Sequence, residues 1–315
     1  MANHVVISTV GAAPPHSTPG RTWQQSVEAM AAFWEMKLSQ VWPDQPDLVV
    51  LPEMCDRYSD YTPEQMLEFC SARGDQLLDL FRRAAREHNC YLAYPSLRCL
   101  NDGTRRNSFT MIGRDGQVVG TYDKNHLVVG ETSESGVLCG LDAPLIECDF
   151  GTVGAAICFD LNFDELRLRY KAAQPDLILF SSMYHGGMMQ AYWAYSCRAH
   201  FVSAIGSPGL RSGIISPTGN EIATTTIYQD FVTATVNLDS CLAHLDFNRE
   251  KLKALKERYG RDVTVADPDL LGSVLISSET NEATALEMAR EFEIELLDDY
   301  MARSLAHRAD CLLQL

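Results

Sequence analysis

Two hydrophobic periods run along this chain of 315 residues and predict two kinds of secondary structure. Short runs rich in Val, Ile, Thr and aromatic residues, bounded by Gly, Pro, Asn or Asp, are typical of β-strands. Such runs predict strands at residues 4–10, 47–51, 90–96, 107–113, 117–122, 144–149, 152–157, 176–181, 201–206, 213–216, 221–227 and 231–238. Apolar side chains spaced three or four residues apart are typical of helices. This spacing predicts helices at residues 22–41, 63–87, 163–173, 188–200, 249–259 and about 282–306.

The order of these elements predicts the fold class. Strands alternate with helices, as in α/β proteins, but tight hairpin turns intrude at residues 114–116, 150–152 and 217–220. Because hairpins join antiparallel strands, we expect an α/β fold with mixed sheets instead of a parallel barrel. A short echo, PDLVVL at residues 46–51 and PDLILF at 175–180, is consistent with two similar halves packed together.

Composition and charge narrow the class of protein. Hydrophobic residues make up 46% of the chain and charged residues 22%, as in ordinary soluble globular proteins. The formal net charge is −16 and no run of Lys or Arg stands out, so we expect neither a nucleic-acid partner nor a membrane partner. We find no signal peptide and no apolar stretch of about 20 residues that could span a bilayer. These features predict a cytoplasmic protein.

The character of the chain changes after about residue 240, where it becomes charged and helical. We therefore predict a main domain at residues 1–240 and a helical extension at residues 241–315. The extension is expected to pack on the main domain or across a dimer interface.

The cysteines point to one candidate nucleophile. The chain has ten, with no C-x-x-C pair and no Cys/His cluster at zinc spacing, so most are expected to be buried thiols in a reducing compartment. Cys158 differs because it lies between a buried strand, residues 152–157, and a helix start with acidic residues at 162–167. Such a junction exposes a thiol at the end of a sheet, near backbone N–H groups that favour a thiolate. By itself this position does not outweigh the frequency of inert buried cysteines.

Two charged residues also follow predicted strands. Glu53 comes directly after the apolar strand 47–51 and Pro52, at the sheet edge where α/β proteins carry their sites. Partial burial there would suit its carboxylate to general acid and base work. Lys124 follows the strand 117–122 and could stabilise an oxyanion or orient a base. Taken singly, each is also consistent with an ordinary solvated side chain.

Taken in order, these residues and their surroundings resemble the carbon–nitrogen hydrolase (nitrilase) superfamily. The matching segments are LPE at 51–53, NS at 107–108, YDKNH at 122–126, GAAICFDLNFDELR at 154–167 and SPTG at 216–219. The resemblance extends from about residue 4 to residue 240, and three motifs in the same order make it specific.

The resemblance implies a four-layer αββα sandwich of two mixed sheets and a Glu-Lys-Cys triad. In it, Cys158 attacks the carbonyl carbon, Glu53 is the general base and acid, and Lys124 stabilises the oxyanion with the backbone N–H of Phe159. A thioester forms, ammonia or an amine leaves, and water releases the acid. The resemblance implies no metal, no cofactor, and a homodimer or higher homo-oligomer.

The family often has a second glutamate beyond the lysine, and this chain offers two. Glu134 fits the family register better against Gly140, so we expect Glu134 to position Lys124 and the substrate. Glu131 is the second choice.

Departures from the family patterns bear on the substrate. Nitrilases proper commonly have Trp-Glu after the cysteine, whereas this chain has Phe159 and Asp160, so nitrile hydrolysis is disfavoured. Carbamoyl amino-acid hydrolases often place Arg or His there, but Leu161 and Asn162 are neutral. The segment 124–126 is nevertheless similar to β-ureidopropionases. We therefore expect a small amide or N-carbamoyl substrate and leave its tail open.

The loop after the strand 176–181 is expected to line the pocket. Met183, Tyr184 and His185 are the predicted substrate-binding residues, although His185 could equally cap a turn or face solvent. Tyr58 and Trp193 are weaker candidates.

Two alternatives to an amidase differ in what they require. A thiol amidase like the class I glutamine amidotransferases would need a Gly-x-Cys-x-Gly elbow, and Cys158 lacks both flanking glycines. A non-catalytic binding protein of the same fold would not need Glu53, Lys124 and Cys158 together.

Overall fold

The computed structural model describes residues 2–313, which divide into a larger unit, residues 5–236, and a smaller unit, residues 2–4 with 237–313. Within the described part of the larger unit, the strands form two six-stranded sheets. They are β1 (His4–Val10), β2 (Leu48–Val50), β3 (Tyr91–Cys99), β4 (Arg105–Ile112), β5 (Val118–Asp123), β6 (Ile146–Cys148), β7 (Gly151–Ile157), β8 (Leu177–Ser182), β9 (His200–Ile205), β10 (Gly213–Ile215), β11 (Glu221–Thr224) and β12 (Phe231–Asn237).

Both sheets combine parallel and antiparallel strands, as the sequence predicted. The strand order is β12-β1-β2-β3-β4-β5 in the first sheet and β11-β10-β9-β8-β7-β6 in the second. The two echo segments contain β2 and β8, and each of these strands pairs in parallel with both of its neighbours. The three predicted hairpin turns join antiparallel pairs, and Gly116 and Gly219 take φ values of 76° and 83° in two of them.

Hydrogen bonds join the two sheets face to face. The hydroxyl of Thr9 on β1 donates to the carbonyl of Ser203 on β9 at 2.7 Å, and that of Ser181 on β8 donates to the carbonyl of Leu51 at 2.8 Å. Helices flank the sheets: α1 (Trp23–Ser39), α2 (Pro63–Arg73), α3 (Gln76–His88), α4 (Val129–Ser133), α5 (Asp164–Ala173) and α6 (Met188–Cys197). Two mixed sheets flanked by helices confirm the predicted αββα sandwich.

The helix predicted at residues 63–87 is in fact two helices. Thr62 forms a capping box with Gln65 at the start of α2, and Pro63 occupies the first helical position. Gly74 ends α2 with φ of 47°, a conformation that glycine adopts without strain. Apolar spacing continues through this break, which is why periodicity alone did not reveal it.

The smaller unit contains a sheet that the sequence analysis did not anticipate. Its elements are β13 (Ser240–His244), α7 (Arg249–Tyr259), β14 (Val263–Ala266), β15 (Ser273–Ser278), α8 (Ala285–Glu291) and α9 (Leu297–Leu312). The strands form an antiparallel sheet in the order β13-β15-β14. The helix predicted at 282–306 is interrupted after α8, where Glu293 has φ of 50°. The predicted dimer-interface role of the extension stays a prediction.

Candidate active site

Glu53 lies just beyond the carboxyl end of β2 and is 5% exposed. The next residue, Met54, has φ of 44°, a left-handed conformation that costs a residue other than glycine about 1–2 kcal/mol. Such strained residues persist only where the surrounding structure holds them, and they concentrate at functional sites. The chain therefore turns sharply at the residue after the carboxylate.

Cys158 lies at the corresponding point of the second sheet. It follows β7 directly, begins a 3₁₀ turn at Cys158–Asn162, and has φ of 48°. The strand before it is buried from Val153 to Ile157, whereas Cys158 is partly exposed. The thiol thus stands at the end of a buried strand on a strained turn, the placement that the sequence predicted for a nucleophile. Phe159, whose backbone N–H is the predicted oxyanion donor, is the next residue of this turn.

Lys124 is bound between two carboxylates. Its side chain is 1% exposed, and its ammonium lies 2.9 Å from Oε1 of Glu53 and 2.7 Å from Oε2 of Glu131. An ammonium has three N–H donors, so one donor remains for a further acceptor. The structure therefore brings the predicted base and the predicted lysine together, with one lysine donor available to a substrate oxygen.

Asn107 on β4 completes a closed ring of hydrogen bonds. Its side-chain amide donates to Oε1 of Glu53 and to Oε1 of Glu131, both at 2.9 Å. Oε2 of Glu131 accepts from Lys124 and from the backbone N–H of Val128, so both oxygens of Glu131 are occupied. Within residues 2–313, Oε2 of Glu53 accepts no hydrogen bond, which leaves that oxygen available to act as a base.

Of the two candidates beyond the lysine, the glutamate that contacts Lys124 is Glu131, whereas the sequence-based preference was Glu134. Glu131 lies in the first turn of α4, where its side chain bonds back to the N–H of Val128 and reaches Lys124. Glu134 follows the last residue of α4 and is exposed. Register against Gly140 favoured Glu134 because the short helix α4 was not foreseen.

Asp160 joins the cysteine turn to the lysine segment. The side chain is fully buried and accepts from the hydroxyl of Tyr122 at 2.7 Å and from the backbone N–H of Ile157 at 3.0 Å. Its other oxygen accepts from the backbone N–H of His126 at 2.8 Å and contacts the ring Nδ1 at 2.9 Å. Tyr122 and His126 lie two residues before and two residues after Lys124. The carboxylate of Asp160 therefore holds the chain on both sides of Lys124. The sequence did not reveal this role of Asp160. The signal that it offered was an aspartate two residues after Cys158.

The charges in the cluster set the resting protonation state. Burial, followed by the negative charge of Glu53, raises the pKa of Cys158 to about 12, although Lys124 acts in the opposite direction. Burial by itself lowers the pKa of Lys124, but its interactions with neighbouring acidic groups, that with Glu53 the largest, outweigh burial and hold that pKa above its ordinary value. At neutral pH the site therefore contains a neutral thiol and a charged lysine. Attack by sulfur then requires a base that removes the thiol proton.

The predicted pocket loop after β8 contacts the nucleophile. Hydrogen bonds from the backbone of Met183 and the side chain of Ser182 lower the pKa of Cys158. The hydroxyl of Tyr184 accepts from the amide of Asn162 at 3.0 Å, and burial raises the pKa of Tyr184 to about 12. His185 Nδ1 accepts from the backbone N–H two residues later, so this ring caps a turn.

Two weaker candidates lie in the core instead. Tyr58 is 4% exposed, donates to the carbonyl of Ser26 at 2.7 Å, and packs against aromatic rings beneath α1 and α2. Trp193 is fully buried and donates to the carbonyl of Leu161 at 3.1 Å, which supports the cysteine turn from behind. Amphipathic rings suit a pocket wall and a core equally well, so the sequence did not separate these cases.

The larger unit also contains a cavity outside the triad. This cavity of about 440 Å³, at the carboxyl ends of β1 and β9, is lined by residues including Gly11, Ser207 and Arg211, and not by the triad. Ser207 nevertheless donates to the carbonyl of Met183, beside the nucleophile. Across residues 2–313, no group of three His, Cys, Asp or Glu side chains is arranged to hold a metal. No helix in the same range combines the length and apolarity needed to cross a membrane.

Comparisons with known proteins agree with this geometry. The sequence profile of the family described as carbon-nitrogen hydrolase matches residues 7–243. Human deaminated glutathione amidase is 25% identical over 169 residues, covering 49% of this chain and 51% of the relative. An omega-amidase of Xenopus laevis is 24% identical over 242 residues, covering 70% of this chain and 86% of the relative. For the first curated relatives, the match therefore spans about half of their length or less.

A solved structure has the same fold. The crystal structure of a carbon–nitrogen hydrolase from Helicobacter pylori G27 superposes with a TM-score of 0.61 and 16% identity, over 82% of this chain and 93% of that chain. Identity this low supports a common fold and carries no argument about substrate.

Proposed function

This chain belongs to the carbon–nitrogen hydrolase family, and we propose that it hydrolyses a small amide or N-carbamoyl compound through a thioester on Cys158. The single observation that carries the proposal is the hydrogen-bonded ring formed by the buried Glu53, Lys124 and Asn107 with the partly buried Glu131. Among the residues that the structure describes, this ring leaves one oxygen of Glu53 and one N–H of Lys124 without a partner, and the charge of Glu53 acts on the Cys158 thiol.

In the acylation step, Glu53 removes the thiol proton while sulfur attacks the substrate carbonyl carbon. The carbonyl electrons move to oxygen, and the oxyanion accepts hydrogen bonds from the third N–H of Lys124 and the backbone N–H of Phe159. When the oxyanion collapses, the C–N bond breaks and Glu53 returns its proton to the leaving nitrogen. Ammonia or an amine departs and the acyl group stays on sulfur.

In the deacylation step, Glu53 takes a proton from water, whose oxygen attacks the thioester carbon. The C–S bond breaks, and the proton held by Glu53 returns to the sulfur of Cys158. The acid is released and the thiol is restored to the neutral state expected at rest.

The substrate class follows from the relatives and from the charges near the nucleophile. Both curated relatives described above are named amidases. Lys124 is already paired with two carboxylates, and Asn162 at the end of the cysteine turn is neutral. A neutral scissile amide needs no cation at these positions. We therefore place amides first and N-carbamoyl compounds second.

The test is a panel of ω-amides, aliphatic amides, N-carbamoyl compounds and nitriles, with ammonia release and intact mass as readouts. We expect turnover of at least one amide or carbamoyl compound and an acyl adduct on Cys158. Cys158→Ala should lower that turnover by about three orders of magnitude or more. Cys148→Ala is the matched control, because Cys148 is also half-buried and burial also raises its pKa to about 12.

Three outcomes would contradict the proposal. Full turnover by Cys158→Ala would show that Cys158 is not the nucleophile. Ammonia release from nitriles alone would assign a different reaction. Binding of amides without turnover or adduct would favour a non-catalytic binding protein.

A further inference from the structure

Asn107 makes contacts that the triad mechanism does not assign. It is 1% exposed, and its backbone carbonyl accepts from the backbone N–H of Lys124 at 2.9 Å. Its side-chain amide has two N–H donors, and each is used on a different carboxylate, Glu53 or Glu131, at 2.9 Å. One residue thus fixes the backbone of the lysine and the side chains of both glutamates.

The other end of the Asn107 amide is unusual. Its oxygen is buried and has no hydrogen-bond partner in the described chain. Leaving a buried acceptor unpaired is destabilising, so an amide selected only for stability would be bonded at both ends. The reverse orientation would set the amide oxygen against two carboxylate oxygens, so the carboxylates fix the nitrogen toward themselves.

The charge balance explains what these donors do. The ring contains two carboxylates and one ammonium, so it carries one surplus negative charge in a buried place. Two neighbouring carboxylates repel each other, and N–H donors directed at both of them offset that repulsion. Asn107 supplies those donors without adding a charge that would compete with Lys124 for the substrate oxygen.

We propose that Asn107 is a positioning residue that holds the carboxylates of Glu53 and Glu131 in place around Lys124 and directs Oε2 of Glu53 to the nucleophile. The proposal rests on the proposed function for its catalytic consequence, but its physical content concerns the protein alone. Because Asn107 acts through Glu53 and Glu131, its loss should lower kcat and leave KM nearly unchanged.

The decisive variant is Asn107→Asp, which keeps the shape but replaces two donors by a third carboxylate. In protein labelled at the glutamate carboxyl carbon, the Glu53 NMR signal is assigned by its loss in Glu53→Gln. Its titration midpoint should rise by about one pH unit or more in Asn107→Asp relative to wild type. Asn107→Leu, which removes the donors and adds no charge, should shift the midpoint in the same direction by less. These measurements need no substrate.

Turnover provides the second readout. The acid limb of the kcat/KM profile of Asn107→Asp should move to higher pH together with the NMR midpoint. Thr110→Val, on the same buried strand and outside the ring, should superimpose on wild type in both measurements. Unchanged midpoints in folded Asn107→Asp and Asn107→Leu would overturn the proposal. Failure of the wild type to act on any amide would overturn the proposed function instead, since the NMR titration would still decide the role of Asn107.

Discussion

The hydroxyl of Tyr122 donates to the buried carboxylate of Asp160 at 2.7 Å, and this bond joins the end of β5 in one sheet to the turn after β7 in the other. Lys124 lies two residues beyond Tyr122, and Cys158 lies two residues before Asp160. This contact therefore joins the lysine segment to the cysteine turn, although neither Lys124 nor Cys158 takes part in it.

Breaking this contact should impair both stability and catalysis. Tyr122→Phe removes one hydrogen bond to a charged acceptor, so we expect a loss of about 1–3 kcal/mol in the free energy of unfolding and a lower kcat. Asp160→Asn should cost more, because the amide nitrogen cannot accept any of the bonds that the carboxylate accepts. Urea unfolding and acyl-adduct formation measure the two effects. Glu165→Gln, which changes an exposed carboxylate on the adjoining helix α5, should behave as wild type, and equal behaviour of all three variants would contradict this interpretation.

The reactivity of Cys158 toward iodoacetamide should respond to Glu53 in the opposite sense from turnover. The negative charge of Glu53 contributes to raising the pKa of Cys158 to about 12, so Glu53→Gln should lower that pKa. At a given alkaline pH, alkylation of Cys158 should then be faster in Glu53→Gln than in wild type, while amide turnover is lost. Glu134→Gln should change neither rate. Slower alkylation in Glu53→Gln would mean that the charge of Glu53 does not oppose the thiolate.

The strained backbone at Cys158 predicts that glycine at this position destabilises the fold less than alanine does, which is the reverse of the usual order. Cys158 has φ of 48°, a conformation that costs alanine about 1–2 kcal/mol and glycine almost nothing. Cys158→Gly should therefore be as stable as Cys158→Ala or more stable, by up to about 1 kcal/mol. At Cys148, in the strand β6, the order should reverse. Thermal unfolding of the four variants tests this, and the same order at both sites would argue against strain.

Substitutions of the two neighbouring glutamates, Glu131 and Glu134, should differ in their effect on kcat. Glu131→Gln removes one of the two carboxylates that hold Lys124, so kcat should fall by about 10-fold or more. Glu134→Gln should retain wild-type kcat and KM, because Glu134 is exposed and lies outside the ring. Steady-state kinetics on the best substrate measures both. A larger loss in Glu134→Gln than in Glu131→Gln would restore the sequence-based choice.

His200, buried on β9, should make the fold acid-sensitive. Burial lowers its pKa from the ordinary 6.5 to about 4, so the ring stays neutral in the folded protein while the unfolded chain binds a proton below pH 6.5. The stabilisation is complete above pH 6.5 and is lost as the pH falls toward 4, by roughly 3 kcal/mol at most. Urea unfolding of His200→Gln should show a shallower decline across this window. An equally steep decline would assign the acid sensitivity to other groups.

Local sequence patterns were enough to propose three candidate residues for the site. Glu53, Lys124 and Cys158 each follow a strand, and strand ends can be read from short apolar runs and turn residues. That Glu53 and Lys124 lie 2.9 Å apart, although 71 residues separate them, depends on strands pairing at a common edge. The family resemblance implied the triad. The structure adds the hydrogen bond between two of its members, Glu53 and Lys124.

Other positions were misjudged because their environment is set by distant parts of the chain. Tyr58 reads as a possible pocket residue but packs beneath α1 and α2, and Glu134 fits the family register but follows a helix that the sequence did not reveal. The strands β13 to β15 were missed because short segments with weak alternation acquire their ladder partners only in the folded chain.

The sequence by itself determined the alternation of strands and helices, the mixed sheets and the positions of a glutamate, a lysine and a thiol at strand ends, because these depend on neighbours within a few residues. Only the tertiary structure decided which glutamate supports Lys124, that Asn107 joins both carboxylates, and that Asp160 fixes the cysteine turn to the lysine segment. Hydrogen bonds of this kind depend on distances of about 3 Å between groups far apart in the chain, and only the packing of two sheets brings them within that range.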